Sequence, residues 1–343
     1  MPKILVVGQG SIGQRHLRLT RELMPDAELA VLSRYPAAVE GVTCCSDLAE
    51  ALAFEPDIAI VANDTARHVE VAAELAERGV HLLVEKPISH RVEEAVRLLE
   101  VAAKSGSILS VGYNLRLLPT IRHFRELIGK RHVGDVFSVR AEVGHYLPSW
   151  RGERDYRTAV SASVEKGGGV ILELSHEIDY LRWIFGEIDA VSCIEARAGD
   201  LEIDVEDTAH LVLSTLTTEN RRGVKIALNM DFIRHDTTRT CVAIGSEGTL
   251  RLDAVNGTVD CCQRGSQEWE TIQEVEIRGG GDYKTDSYRL ELERFFASVA
   301  DKSSPLVTGV DGLRVLEIVE AARKSAATGA VAKVNHIEVP LVL

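Results

Sequence analysis

Three glycines near the start of the chain have the spacing of a phosphate-binding turn. The segment KILVVGQGSIGQRHL places Gly8, Gly10 and Gly13 as G-x-G-x-x-G between an apolar run and an amphipathic run. Gly8 would permit a tight turn, Gly10 would let the backbone approach a pyrophosphate, and Gly13 would let a helix pack closely on a strand. The first amides of that helix, at Ser11 and Ile12, would then face the phosphates. At the end of a first strand this pattern predicts dinucleotide binding.

The end of the second apolar run bears on which dinucleotide would bind. An NAD-selective site usually places Asp or Glu about 20 residues after the glycine turn, where it holds the ribose 2′-hydroxyl. This chain has Ser33 and Arg34 there instead. Because a hydroxyl followed by a guanidinium suits the dianionic 2′-phosphate, we expect NADP(H) to be preferred and NAD(H) to be possible. The alternative is that Arg34 is only a solvated cation at the end of a strand.

Polar residues follow two further apolar runs, which end in VEKP and VGYN. In open α/β sheets, ligands lie beyond the carboxyl ends of the strands, so Glu85, Lys86 and Asn114 are expected to face a nicotinamide ring. A lysine in such a cleft can supply a positive charge or a hydrogen bond to an oxygen that becomes anionic. The alternative for Lys86 is an ordinary solvated lysine.

These candidate residues need strands and helices to position them. Up to about residue 115, the β-branched runs KILVVG, ELAVLSR, DIAIVAN, HLLVEKP and SILSVGY alternate with amphipathic segments of helix length. This alternation predicts a doubly wound parallel sheet of five strands. The next part of the chain has longer strand-like runs with polar and apolar residues in alternation, which predict a largely antiparallel open sheet. We therefore predict a Rossmann domain over residues 1–116 and an α+β domain for substrate binding and oligomerisation over 117–343.

Charge and composition exclude several classes of partner. The formal net charge of −13 argues against nucleic-acid binding, which needs clustered Lys and Arg. There is no run of about 18 apolar residues and no leader-like N-terminal segment, so we expect a cytoplasmic protein that does not bind a membrane. The six cysteines show no C-x-x-C spacing, and we expect reduced structural thiols and no metal site.

Four longer segments carry a resemblance to one protein family. They are VVGQGSIG, HLLVEKPIS, VGYNLRLLP and GGGVILELSHEIDYLRWIFG. Over nearly its whole length the chain resembles the glucose-fructose oxidoreductase, inositol dehydrogenase and rhizopine catabolism family, called Gfo/Idh/MocA. The resemblance implies a Rossmann domain followed by an open α/β domain whose sheet often mediates subunit contacts. A homodimer or homotetramer formed through the C-terminal sheet is therefore expected.

The resemblance also implies which residues do the chemistry. In the family the lysine of the E-K-P motif, here Lys86, is catalytic, and the histidine after the triple glycine, here His176, is the acid/base. The acidic residue that precedes that histidine corresponds to Glu173. The family acid is commonly Asp four residues before the histidine, whereas Glu173 stands three residues before it. Both spacings place two side chains on one face of a helix, and Glu177 occupies the other possible position.

A cofactor loop and a substrate loop complete the expected site. The family loop T-P-N-x-x-H appears here as VANDTARH, which makes Asn63 and His68 candidate cofactor-binding residues. The segment GHYLPSWRGERDYRTAVSASVEKGGG is rich in aromatic and charged residues. Its members Tyr146 and Trp150 could stack on a sugar ring. The arginines Arg116 and Arg151 could bind a carboxylate or a phosphate. The alternative is that these side chains order a loop or an oligomer contact.

The expected mechanism is hydride transfer to or from a sugar, sugar nucleotide or sugar acid. His176, oriented by Glu173 or by Asp179, would take the hydroxyl proton while Lys86 stabilises the charge on that oxygen. Asp179 is also a candidate substrate contact. Two other functions stay open: an enzyme that keeps its cofactor bound for a net non-redox reaction such as epimerisation, and a non-catalytic NAD(P) sensor.

Overall fold

The first part of the chain folds into a parallel six-stranded sheet. The computed structural model describes residues 1–34, 37–150, 155–218, 222–274 and 283–340. The strands of this sheet are β1 (Lys3–Val7), β2 (Glu28–Leu32), β3 (Val42–Cys45), β4 (Ile58–Val61), β5 (His81–Val84) and β6 (Leu109–Val111). Their order is β3-β2-β1-β4-β5-β6, and each neighbouring pair is parallel. The prediction of a doubly wound Rossmann sheet is confirmed.

One strand of this sheet was not predicted. β3 is the outermost strand, only four residues long, and two of those residues are exposed. A short strand with an exposed face has no continuous apolar run, so its sequence VTCC does not stand out from the loop around it. The helices that connect the strands are α1 (Ser11–Leu23), α2 (Leu48–Ala53), α3 (His68–Ala76) and α4 (Val92–Ser105).

The second part of the chain forms a nine-stranded mixed sheet. Its strands are β7 (Val136–Gly144), β8 (Ile188–Ala196), β9 (Thr208–Thr215), β10 (Lys225–Asp231), β11 (Thr238–Gly245), β12 (Gly248–Asp253), β13 (Thr258–Gln263), β14 (Glu270–Glu274) and β15 (Ala332–Lys333). They lie in the order β14-β13-β12-β11-β7-β10-β9-β8-β15. Among the described strands of this second sheet, only β7 and β10 pair in parallel, so the predicted largely antiparallel character is confirmed.

The helix expected over VILELSHEIDYLRWIF is interrupted. It forms α6 (Val170–Glu173) and α7 (His176–Phe185), and Leu174 and Ser175 separate the two. Glu173 and His176 are therefore not on one continuous helix, and this corrects the argument from helical spacing. The other helices of this part of the chain are α5 (Pro119–Gly129), α8 (Tyr283–Asp301) and α9 (Gly309–Thr328).

Two late helices pack back onto the first sheet. Ile4 and Val6 of β1 lie in an apolar cluster with Leu292 and Phe295 of α8. The alternate residues of β1 face the opposite cluster, which includes side chains from α3, α4 and α9. The predicted division at residue 116 falls between β6 and β7, but α8 completes the first core from beyond it. In the part of the chain that the structure describes, no helix is both long enough and apolar enough to cross a bilayer.

Candidate active site

The glycine turn leaves one open approach to the backbone. Gly8 has φ +96°, and a Cβ atom added there would lie 2.6 Å from the carbonyl oxygen of Ala62. A Cβ added at Gly13 would lie 2.0 Å from the oxygen of Gly8, because α1 packs directly on the turn. A Cβ at Gly10 would meet nothing within 4 Å. The backbone at Gly10 and the free amides at the start of α1 can therefore be reached by a phosphate.

A cleft of about 700 Å³ runs from this turn to the second domain. It follows the carboxyl ends of the strands, and at its far end Val160 and Glu173 of the second domain line it. The predicted site residues that line it are Gly8, Gly10, Ser11, Ile12, Ser33, Arg34, Asn63, His68, Glu85, Lys86 and Glu173. Gly13 lies beneath the turn, and Arg34 is exposed at the other end of the cleft. The volume and the free amides fit a dinucleotide.

Lys86 joins the two domains at the end of the cleft. Its Nζ donates a hydrogen bond to the Glu173 carbonyl oxygen at 2.9 Å and lies 3.9 Å from Glu173 Oε1. Ser161 Oγ donates to Glu173 Oε2 at 2.7 Å. Ser161 was not predicted, because only the tertiary fold brings its loop to α6. The Lys86 and Glu173 side chains are 17% and 13% exposed, so they are shielded and still open to the cleft.

His176 begins α7 beside these residues. Its ring stands edge-on to Tyr113, with the ring centroids 5.5 Å apart. Its Nδ1 is buried and has no hydrogen-bond partner among the residues that the structure describes. Burial, followed by the positive charges of Lys86 and Arg239, lowers the pKa of His176 well below its ordinary value. The imidazole is therefore neutral at physiological pH and can accept a proton.

The structure corrects the expectations for Arg116 and Asp179. Arg116 donates to both carboxylate oxygens of Asp179, at 2.8 and 2.5 Å, and the two side chains are each 2% exposed. Arg116 also donates to Asp311 at 3.1 Å. A bidentate pair buried in this way is occupied by its own partners and cannot also hold a substrate. The structure thus places Arg116 and Asp179 in a buried ion pair and not among the residues that line the cleft, which does not support the expected contacts with substrate or His176.

A different ion pair follows His176 along the chain. Glu177 is fully buried and accepts a hydrogen bond of 2.6 Å from Arg239 Nε. Burial raises the pKa of Glu177, although the charge of Arg239 opposes that change. Arg239 was not predicted. The signal for it was the alternation along β11, where Cys241 and Ala243 are buried, since Arg239 shares their inward face.

The cofactor loop and Asn114 differ in their placement. The ring nitrogens of His68 face the carbonyl oxygens of Pro87 and Asn63 at 3.0 and 3.1 Å. Burial lowers the pKa of His68, and a neutral imidazole donates only one of these bonds at a time. Asn114, in contrast, is buried away from the cleft and donates to Ser287 Oγ of α8 at 2.9 Å. The expectation that Asn114 faces the cofactor is therefore corrected.

The predicted substrate loop lies across the glycine turn. Trp150 and Asp155 line a pocket of about 230 Å³, together with Gly10 and Asp64 of the first domain. Trp150 Nε1 donates to the His145 carbonyl oxygen at 3.0 Å. Tyr146 stacks on His235 with a centroid distance of 4.4 Å and does not line this pocket. Arg151 lies outside the described residues, so its role stays a prediction.

A parallel sheet with an open phosphate-binding turn, closed by a second domain that brings a histidine and an acid to a cleft lysine, is typical of dinucleotide-dependent oxidoreductases. Residues 2–113 match the Gfo/Idh/MocA oxidoreductase family with its NAD-binding Rossmann fold, and residues 125–335 match that family's C-terminal alpha/beta domain. The chain belongs to this family, which confirms the resemblance seen in the sequence. It is an NAD(P)-dependent oxidoreductase.

Individual relatives agree over nearly the whole chain. The uncharacterized oxidoreductase YrbE of Bacillus subtilis (strain 168) is 25% identical, covering 97% of this chain and 96% of its own length. Inositol 2-dehydrogenase of Rhizobium meliloti (strain 1021) is 23% identical, covering 94% and 96%. The solved WlbA dehydrogenase from Bordetella pertussis, in complex with NADH and UDP-GlcNAcA, superposes with a TM-score of 0.80 at 22% identity, covering 97% and 98%. This last likeness establishes a shared fold.

Proposed function

We propose that this chain moves a hydride between a nicotinamide cofactor and a CH–OH or keto carbon of a sugar, sugar nucleotide or sugar acid. The supporting observation is that Lys86 and Glu173 line the end of the dinucleotide-sized cleft and are hydrogen-bonded, while His176 lies near enough to Lys86 for that charge to lower the imidazole pKa. Relatives include an inositol 2-dehydrogenase and a dehydrogenase solved with a UDP-sugar acid, so ring-bearing polyols are the class to test.

Different side chains transfer the proton and stabilise the charge on the substrate oxygen. A bound nicotinamide supplies the hydride acceptor or donor. His176, being neutral, accepts the substrate hydroxyl proton in oxidation and returns it in reduction. The Lys86 ammonium group carries three N–H donors, and the one directed to the Glu173 carbonyl leaves others for the substrate oxygen. Glu173, held by Ser161, positions that ammonium group.

NADP(H) is the cofactor that we propose to be preferred, with NAD(H) also used. Ser33 and Arg34 line the cleft at the end of β2, where an NAD-selective site usually has a carboxylate. An arginine at this place can form charge-assisted hydrogen bonds with a 2′-phosphate. A kcat/KM for NAD(H) equal to or above that for NADP(H) would reject the preference.

The second sheet supports the proposal of a homodimer or homotetramer. Ile194 of β8 and Val212 of β9 are 70% and 46% exposed. The register pairs Ile194 with His210 and Ser192 with Val212, so all four residues lie on one face. Ile194→Glu together with Val212→Glu should yield monomers in light scattering. We also propose a cytoplasmic location, in keeping with cysteines that are all free thiols.

Retention of the cofactor is a second candidate property. The segment around residues 155–161 of the second domain lies against Gly10 and Asp64, and Ala66 N donates to the Lys166 oxygen at 3.3 Å. This segment borders the pocket beside Gly10, and we propose that it would slow the release of a nucleotide bound at the glycine turn. Nucleotide released from the purified protein by denaturation, together with turnover that needs no added cofactor, would favour an epimerase-like cycle.

The decisive experiment follows NAD(P)H absorbance with a panel of sugars, sugar acids and sugar nucleotides. Lys86→Ala and His176→Ala should bind the cofactor normally and lose turnover by about 10²-fold or more, because both residues act at the reacting oxygen. Near-normal rates in both variants would contradict these roles. Cofactor binding with no turnover on any substrate would favour the sensor.

A further inference from the structure

A buried cluster of ionisable groups lies directly behind Lys86. His16 of α1, Glu85 at the end of β5 and Glu291 of α8 are 0%, 9% and 6% exposed. One nitrogen or oxygen atom from each lies within 4.8 Å of the others. The cluster therefore connects the glycine-turn helix, the strand that carries the lysine, and the helix that returns from the end of the chain.

Glu85 connects this cluster to the lysine. Its Oε1 lies 2.7 Å from His16 Nε2, and its Oε2 accepts a hydrogen bond from the Lys86 backbone amide at 3.2 Å. Gly112 leaves just enough room for this carboxylate, since a Cβ added there would lie 3.1 Å from Glu85 Oε2. The orientation of the Glu85 side chain thus fixes the backbone from which the Lys86 side chain departs.

The two carboxyl groups of the cluster differ in charge. Burial raises the pKa of Glu85, but the hydrogen bond from His16 and the charges of His16, Lys86 and His68 outweigh it and leave the pKa below its ordinary value. Burial, reinforced by the charge of Glu85, raises the pKa of Glu291 well above its ordinary value. Neither oxygen of Glu291 has a hydrogen-bond partner in the described part of the chain. The two opposite pKa directions favour Glu85 as the charged member of the pair and Glu291 as the neutral one.

Tyr288 and Arg15 pack beside the His16 end of the cluster. The Tyr288 ring of α8 stands edge-on to the His16 ring at 5.8 Å, and the Arg15 guanidinium lies 4.7 Å from the Tyr288 ring centroid. Arg15 is thus directed to the Tyr288 ring, and in the described structure it does not hydrogen-bond to Glu291. Among the described residues no Lys or Arg forms an ion pair with Glu291, so a second buried negative charge there would be poorly compensated.

We propose that His16 and Glu291 are positioning residues for Lys86 that act through Glu85. His16 donates to Glu85 and keeps it as the carboxylate that anchors the Lys86 amide. Glu291, as the neutral member, restricts the cluster to one negative charge and so leaves the His16–Glu85 bond intact. The proposal rests on the function proposed above for Lys86. It assigns a purpose to a buried acid that is not among the residues lining the cleft.

The kinetic test uses matched variants of the full chain. His16→Phe removes the donor and keeps the volume, His16→Gln restores a neutral donor, and Glu291→Gln is an isosteric mimic of the neutral acid. His16→Phe should lower kcat about 10-fold or more while KM and cofactor affinity change little, because a small displacement of a catalytic group is sufficient for such a loss. His16→Gln should recover most of that loss, and Glu291→Gln, which keeps that side chain neutral, should lose far less activity than His16→Phe. Equal losses in Phe and Gln variants, or a loss in Glu291→Gln as large as that in His16→Phe, would overturn the proposal.

A spectroscopic test does not depend on finding the substrate. The infrared spectrum at neutral pH should contain a carbonyl stretch of a protonated, solvent-shielded carboxylic acid that is lost specifically in Glu291→Gln. Metal analysis of the purified protein tests the alternative that the cluster binds a divalent cation, since its three side chains have suitable donor atoms. An absent band, or one equivalent of metal that copurifies and disappears in Glu291→Gln, would overturn the neutral-acid assignment. If the band is present but no substrate is ever turned over, the proposed function fails and the charge assignment survives.

Discussion

Two of the polar contacts between the halves of the molecule differ in how completely their hydrogen-bonding groups are satisfied. Lys86 and Glu173 are joined by one hydrogen bond to a carbonyl and a loose 3.9 Å ion pair, at 17% and 13% exposure. Arg116 and Asp179 form a bidentate pair at 2.5 and 2.8 Å, each 2% exposed. All four residues were predicted to be functional. We propose from this comparison that spare donors and partial access distinguish the Lys86–Glu173 contact, to which we assign a reactive role, from the structural Arg116–Asp179 pair.

The largest effect on turnover should come from substitution in the Lys86–Glu173 contact. Lys86→Met should lower kcat by about 10²- to 10⁴-fold, because it removes the charge that faces the reacting oxygen. The free energy of unfolding should change little, since the side chain makes few closed contacts. Lys104→Met, at an exposed position near the end of α4, is the control and should alter neither quantity. If Lys86→Met lost stability and kept its turnover, Lys86 would be a structural residue and not a reactive one.

Substitution in the Arg116–Asp179 pair should instead lower stability and leave cofactor binding nearly unchanged. Arg116→Met leaves the Asp179 carboxylate buried without its main partner, and should lower the free energy of unfolding by about 3–5 kcal/mol. Denaturant titration measures this change, and the KM for cofactor in the folded fraction should stay close to that of the original protein. The double variant Arg116→Met, Asp179→Leu should regain stability, because neither charge is then left alone. A substrate-specific rise in KM with unchanged stability would restore Arg116 as a substrate contact.

The pH dependence extends the comparison to His176. Because its pKa is lowered in the folded protein, oxidation should persist below pH 6.5 and decline only when the neutral imidazole is finally protonated. The unfolded chain binds the proton more readily, so the stability due to the neutral residue is present above about pH 6.5 and is lost as the pH falls through the folded-state value. His176→Asn should lack both responses. An acid limb at or above pH 6.5 would contradict the lowered pKa.

The smallest effect is expected at the exposed end of the cleft. Arg34→Ala should lower kcat/KM with NADPH by about 10-fold, as expected for one charge-assisted hydrogen bond, and should barely change it with NADH. Arg34→Lys separates charge from bidentate geometry. Equal losses with the two cofactors would show that Arg34 acts on the fold of the cleft instead of on the 2′-phosphate.

Sequence periodicity predicted the strands and helices, whose formation depends mainly on neighbouring residues. The alternation of strand and helix along residues 1–115 correctly predicted the Rossmann sheet, since each element carries its own periodicity. β3 was missed because four half-exposed residues carry none. Arg116 and Asp179 lie 63 residues apart, and Asn114 and Ser287 lie 173 apart. The sequence around a polar residue does not show whether that residue is hydrogen-bonded to a side chain far away along the chain.

The packing of α8 has a consequence for synthesis of the protein. The face of β1 that carries Ile4 and Val6 is completed by Leu292 and Phe295, which a ribosome adds near the end of translation. Until then the nascent nucleotide-binding half exposes an apolar surface and invites chaperones or aggregation. A fragment that stops at residue 116 should therefore be poorly soluble when expressed alone, even though it contains every strand of its own sheet.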